Sequence, residues 1–123
     1  MKKPRIGAHT PTSGGMAKRS IAYAELTGAE AIQVFTSNPR GWAMPETNHE
    51  ADAIFREKAA ALDIETYVHA PFLINLGSPT EGTYKNSLAS TEYSLKRGKE
   101  IGALGVVVPV SYTHLTLPTN REV

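Results

Sequence analysis

The residues best suited to chemistry in this chain are its histidines and a loop that carries asparagine, arginine and tryptophan. His9 and His69 each follow a short apolar run, residues 4–8 and 64–68, and each is followed by a loop rich in turn formers or proline. Imidazole ligates zinc and other borderline metals, and a place at a strand tip fixes the direction of the ring. A histidine at the C-terminal mouth of a buried parallel strand is also where (β/α) barrels put their chemistry. The alternative for both is a hydrogen-bonded structural histidine. His49 stands among polar residues beside a helix start and reads as a solvated surface group.

Residues 37–42, Ser-Asn-Pro-Arg-Gly-Trp, place an amide, a guanidinium and an indole beyond a strand end. Arginine pairs bidentately with phosphate, and aromatic or guanidinium planes stack on bases. From composition alone, an ordinary loop with Trp42 packed on a rim and Arg40 in solvent is the favoured reading. After His69, Phe72, Leu73, Ile74 and Leu76 make an apolar loop. Such residues cap a core, and when exposed they can wedge into a duplex. There is no Walker loop, no Gly-x-Ser-x-Gly elbow and no dinucleotide fingerprint, and Gly14-Gly15 is too short for a phosphate cradle.

These groups need elements to position them. Residues 4–9 read as a strand, 10–15 as a glycine-containing loop, and 16–26 as a helix with Ala17, Ile21 and Ala24 on one face. Residues 31–36 are β-type. Thr47 or Asn48 caps a second helix with Glu50 and Asp52 in its first turn, burying Ile54, Phe55, Ala59 and Leu62. Residues 64–69 form a third strand. A third helix is expected over 86–101, with Leu88, Thr91, Leu95 and Gly98 along its stripe, and 104–108 start a fourth strand. Strand and helix alternate about every 30 residues, the pattern of βαβ units in a parallel sheet. Doubly wound and barrel folds are not separable on this pattern alone.

The chain has 123 residues, 41% of them hydrophobic, enough for one small domain. A closed α/β barrel needs roughly 200–250 residues. Thirteen basic and twelve acidic side chains give a net charge of +1, which excludes neither a nucleic acid nor a small-molecule partner. No apolar run approaches the ~20 residues of a membrane span. The absence of cysteine removes disulfides and thiolate metal sites. The start, Met-Lys-Lys-Pro, lacks the apolar core of a signal peptide, so the cytoplasm is the expected location.

After Val108 the sequence changes character. Threonine is crowded and no periodicity continues the unit. Residues 110–119 back-translate as GTC TCT TAT ACA CAT CTG ACG CTG CCG ACG, which looks like a transposon-end sequencing adapter read in one frame. On this reading 109–123 are non-native, His114 has no functional meaning, and only the first base of the Pro109 codon comes from the gene. Histidine codons share that base, so histidine is expected there in the intact gene. The alternative is a genuine Thr/Pro-rich tail.

Taken together, IGAHTPTSGG (6–15), QVFTSNPRGW (33–42), HAPFLINLGSP (69–79) and GALGVVV (102–108) resemble endonuclease IV, the deoxyribonuclease IV type of apurinic/apyrimidinic endonuclease. The resemblance spans 4–108. It implies part of a TIM (β/α)8 barrel of the xylose isomerase-like superfamily: the first three βα units plus a fourth strand, within a domain of residues 1–108. It further implies an enzyme of DNA base excision repair that holds three zinc ions at its strand ends. Such an enzyme hydrolyses the phosphodiester 5′ to an abasic site in double-stranded DNA, leaving a 3′-hydroxyl and a 5′-deoxyribose phosphate, and acts as a monomer.

By the same resemblance His69 is a zinc ligand, and the next histidine ligand falls where this chain has Pro109. Arg40 is an arginine inserted at the lesion, Phe72 and Leu73 are an aromatic–aliphatic pair doing similar work, and Asn38 belongs to the same DNA-facing loop. Tyrosine is the aromatic expected at Phe72; losing the hydroxyl keeps the stacking area. His9 matches a histidine at the barrel mouth that is not counted among the ligands. The remaining ligands belong to strands that this chain does not contain, so the isolated chain is expected to be inactive and marginally folded. Two other functions stay open: a sugar isomerase or epimerase on the related barrel, and a non-catalytic DNA-binding module.

Overall fold

A computed structural model describes residues 3–109. The adapter-like stretch 110–123, with His114, lies outside the described residues. Four parallel strands form one sheet in the order β1-β2-β3-β4: β1 Gly7–His9, β2 Ala31–Val34, β3 Glu65–His69 and β4 Gly105–Val107. Aligned partners run His9 with Gln33, Gln33 with Tyr67, and His69 with Val107. Backbone bonds carry the ladder one residue past the strand tips, Thr10 N to Gln33 O at 2.9 Å and Ala70 N to Val107 O at 2.9 Å. His9 and His69 therefore end up on one edge of the sheet, as their matching strand-end positions require.

Alternation divides the sheet into two faces. Ile32, Val34, Thr66 and Val68 are buried against the helices, where Ile21, Ala24, Phe55, Ala59 and Ile101 complete the core. His9, Gln33, Tyr67 and His69 alternate with them and take the opposite face. Strands buried on one side by helices, with a second face still open, are what a segment of a barrel wall presents.

The helices differ from expectation in instructive ways. The first begins as a π-helical turn, Met16–Ser20, and continues as α1, Ile21–Thr27; Gly28, at φ 73°, ends it. Helix α2, His49–Ala61, is capped by Asn48, whose Oδ1 accepts from Ala51 N at 3.0 Å. Phe55 and Ala59 are buried as expected, but Ile54 and Leu62 are 41% and 43% exposed. Helix α3, Glu81–Ile101, starts five residues before the expected 86, because the polar stretch from Glu81 to Lys85 offers no apolar period to mark it.

Its buried stripe is Ser87, Ser90, Ser94, Arg97, Gly98 and Ile101, while Leu88 and Leu95 face solvent. Small residues let the helix lie close to the sheet, and their hydroxyls are satisfied locally: Ser94 Oγ donates to Ser90 O at 2.9 Å. Arg97 is held by Asp52 of α2 in a buried bidentate pair, 2.6 and 2.9 Å, and by Glu100 at 2.9 Å. The hydrogen bonds to Asp52 hold the guanidinium more firmly protonated than usual, against the effect of burial.

Candidate functional site

Three loops gather beyond the C-terminal strand ends: 10–15, 35–48 and 70–80. His69, the last residue of β3, is half-buried, and its Nδ1 lies 2.6 Å from the Ala70 carbonyl. A carbonyl only accepts, so Nδ1 carries the proton and Nε2 keeps its lone pair. That is the tautomer a metal ligand needs.

Around it stands a ring cluster. Phe35 is central, with ring centroids 4.5 Å from His9, 5.2 Å from His69 and 5.4 Å from Phe72. His69 also meets Phe72 at 5.6 Å and His9 at 6.5 Å. His9 accepts at Nδ1 from the Gln33 side-chain amide at 3.0 Å. Burial, then the neighbouring His69, pushes the His9 pKa below the usual histidine value.

The two recognition loops are tied to one another: Phe72 N donates to Pro39 O at 2.8 Å. Asn38 is engaged in its own turn, Oδ1 accepting from Arg40 N at 2.9 Å and its carbonyl from Gly41 N at 3.3 Å. This Asx-type turn presents Arg40. The Arg40 side chain is exposed, and its guanidinium has no ion-pair partner among the described residues. The far end of the loop is fastened by Tyr93 of α3, whose hydroxyl donates to Pro45 O at 2.7 Å. Phe72 and Leu73 stand 52% and 39% exposed, while Ile74 beside them is buried. The apolar loop is thus split: one residue roots it and two project. Ser87 Oγ accepts from Asn75 N at 2.8 Å and fixes the same loop to α3.

His49 sits on the surface, 3.9 Å from Glu100, as its polar neighbours indicated. Phe35, Gln33 and Tyr93 were not singled out from sequence. For Phe35 and Gln33 the signal existed, since both lie in the strand run leading into the Ser-Asn-Pro-Arg-Gly-Trp loop. A groove of about 590 Å³ opens between these loops, lined by Thr12, Ser13, Thr36, Ser37 and Asn38 above Asp52.

Among the described residues no group of three or more His, Cys, Asp or Glu side chains could hold a metal ion. His69 fits one coordination position; the residues described do not make a metal centre. The site brings together one imidazole held through Nδ1, one exposed guanidinium and an exposed apolar pair.

The chain is 54% identical over 103 residues to a Streptomyces avermitilis protein named probable endonuclease 4, and 52% identical over 103 residues to its Streptomyces coelicolor counterpart. Each match covers 84% of this chain. The fold agrees: the crystal structure of endonuclease IV from Thermus thermophilus superposes with a TM-score of 0.79 at 28% identity, over 89% of this chain and 42% of that one. The chain is a homologue of endonuclease IV. Its four parallel strands and their helices are accordingly part of a TIM barrel. The chain spans about a third of the length of the curated relatives it matches, 33% and 35%. No protein-family model matches it. Among the described residues no helix is long and apolar enough to cross a membrane.

Proposed function

We propose that residues 1–108 are the N-terminal part of a zinc-dependent apurinic/apyrimidinic endonuclease of base excision repair, and that 109–123 are not native to it. The intact enzyme hydrolyses the phosphodiester 5′ to an abasic site in double-stranded DNA, leaving a 3′-hydroxyl and a 5′-deoxyribose phosphate. It works in the cytoplasm as a monomer. The observation that carries this reading is the ring cluster itself: His69 directs a free Nε2 out of a strand tip, beside an exposed aromatic–aliphatic pair and a loop that presents an unpaired arginine.

In the intact protein His69 would be one ligand of a zinc centre, which would supply acidified water and neutralise phosphate charge. Arg40 enters the duplex at the lesion and meets the phosphate backbone. Phe72 and Leu73 fill the space left by the missing base, where apolar area replaces lost stacking. Asn38 shapes the Arg40 loop. None of these roles needs a protein nucleophile, as phosphoryl transfer rests on positioning and charge stabilisation.

This chain alone holds one ligand of such a centre and is inactive by itself. The test is nicking of a synthetic abasic duplex by the product of the uninterrupted gene. Cleavage 5′ to the lesion that a chelator abolishes supports the reading; sugar isomerisation without nicking overturns it.

A further inference from the structure

The two strand-tip histidines are held as opposite tautomers, and the restraint on His9 lies outside the role just given to His69. The Gln33 amide nitrogen can only donate, so His9 Nδ1 must accept from it and the His9 proton sits on Nε2. The Ala70 carbonyl can only accept, so the His69 proton sits on Nδ1. His9 and Gln33 are aligned partners on adjacent strands, so the bond runs straight across the open face of the sheet. Phe35 packs on both imidazoles and fixes their planes, 77° apart. No hydrogen bond joins the two rings among the described residues, and His9 Nε2–H has no protein acceptor there.

We propose that Gln33 is a positioning residue that locks His9 as an Nε2–H donor beside the His69 Nε2 acceptor, and that this donor takes a phosphodiester oxygen. The proposal rests on the nuclease reading for the identity of the ligand, not for the tautomers. A neutral ring donor adds direction without charge, and the neighbouring loop supplies charge through Arg40. An oxygen anion is the acceptor that such a donor beside a guanidinium selects.

Ring-nitrogen NMR of the ¹⁵N-labelled 123-residue chain, at about pH 8 so that both rings are neutral, reads the tautomers directly. The expected pattern is Nε2–H for His9 and Nδ1–H for His69. Gln33→Leu, which keeps the bulk and removes the donor, should turn His9 into a mixture. Gln33→Glu, which offers only an acceptor, should invert it to Nδ1–H, with His69 unchanged in both. Inorganic phosphate should move the His9 Nε2 resonance of the native chain and leave it still in Gln33→Glu. Affinity for an abasic duplex should fall about threefold to tenfold in either variant, the contribution of one hydrogen bond.

A native His9 protonated on Nδ1, or tautomers indifferent to both substitutions, would overturn the lock. A His9 resonance unmoved by phosphate would overturn the donor. If phosphate moves His9 yet abasic and intact duplexes bind equally and negligibly, the tautomer lock stands and the phosphodiester as its ligand is overturned. The nuclease reading falls only if the product of the uninterrupted gene fails to nick an abasic duplex.

Discussion

At the N-terminal ends of the strands the arginine beside the sheet is paired, whereas in the loops beyond the C-terminal ends Arg40 has no ion-pair partner among the described residues. Below the sheet, Arg5 before β1 reaches Asp63 at 3.0 Å and Glu65 of β3 at 3.2 Å, and Ile6 N donates to the Glu30 carboxylate at 3.2 Å. One arginine thus ties the entry to β1 to the entry to β3, and Glu30 ties in β2. Above the sheet, Arg40 is exposed and has no ion-pair partner among the described residues, Phe72 and Leu73 face solvent, and the two imidazoles are held through Nδ1. The lower end commits its polar groups to register; the upper end withholds them from the fold. A side chain left free by its own scaffold is available to a ligand, which is how barrels divide stability from function.

The largest effect should come from the buried pair that fastens α2 to α3, not from the exposed loops. Arg97→Met strands a buried Asp52 carboxylate, and breaking such a pair costs about 3–5 kcal/mol. The urea midpoint should collapse, and circular dichroism at 25 °C should show loss of helix. Next come those loops: the double substitution Phe72→Ala with Leu73→Ala removes exposed apolar surface, so stability should hold. Abasic-duplex affinity in a fluorescence anisotropy titration should drop by at least about tenfold, given ~1–3 kcal/mol for an aromatic stacked on a base. An equal loss of stability would erase the contrast between the two ends.

A smaller change is expected from Asn48→Ala, which deletes the α2 cap and should cost about 1 kcal/mol in chemical denaturation, with no effect on DNA binding. The smallest concerns pH. The pKa of His9 is lowered in the folded chain, so the unfolded chain takes up its proton first as pH falls. The stability linked to His9 is therefore complete above the ordinary histidine pKa of 6.5 and is lost as pH drops through the lowered one. His9→Asn should flatten the urea midpoint between pH 7 and 5, roughly the range in which histidine titrates.

The βαβ order and the shared edge of His9 and His69 were legible because each rests on local signals: an apolar run, a cap, a glycine or proline stop. The loop 37–42 stood out through its residue types, whereas the choice of Phe72 and Leu73 within the apolar loop came from the family resemblance, and the structure adds that these two are exposed while Ile74 is buried. The α3 stripe was not legible. Periodicity weights leucine, so it chose Leu88 and Leu95, while the helix buries Ser87, Ser90 and Ser94, of which Ser94 donates to the Ser90 carbonyl and Ser87 accepts from Asn75 N. Leu88 and Leu95 stay exposed in a chain that spans a third of its relatives. The Asp52–Arg97 pair joins residues 45 apart, and the Tyr93–Pro45 bond joins residues 48 apart. No window along the chain contains both partners, so only the fold reveals them. The Gln33–His9 contact is of the same kind, formed by β1–β2 register and not by sequence neighbours.

The proposed role of His69 as a metal ligand through Nε2 is what the rest depends on. Zinc content by elemental analysis of the product of the uninterrupted gene, compared with its His69→Ala variant, tests it most directly. Zinc is expected in the native protein, with a clear fall in stoichiometry in the variant and loss of abasic-site nicking in parallel. Undiminished zinc and full nicking without that imidazole would contradict it.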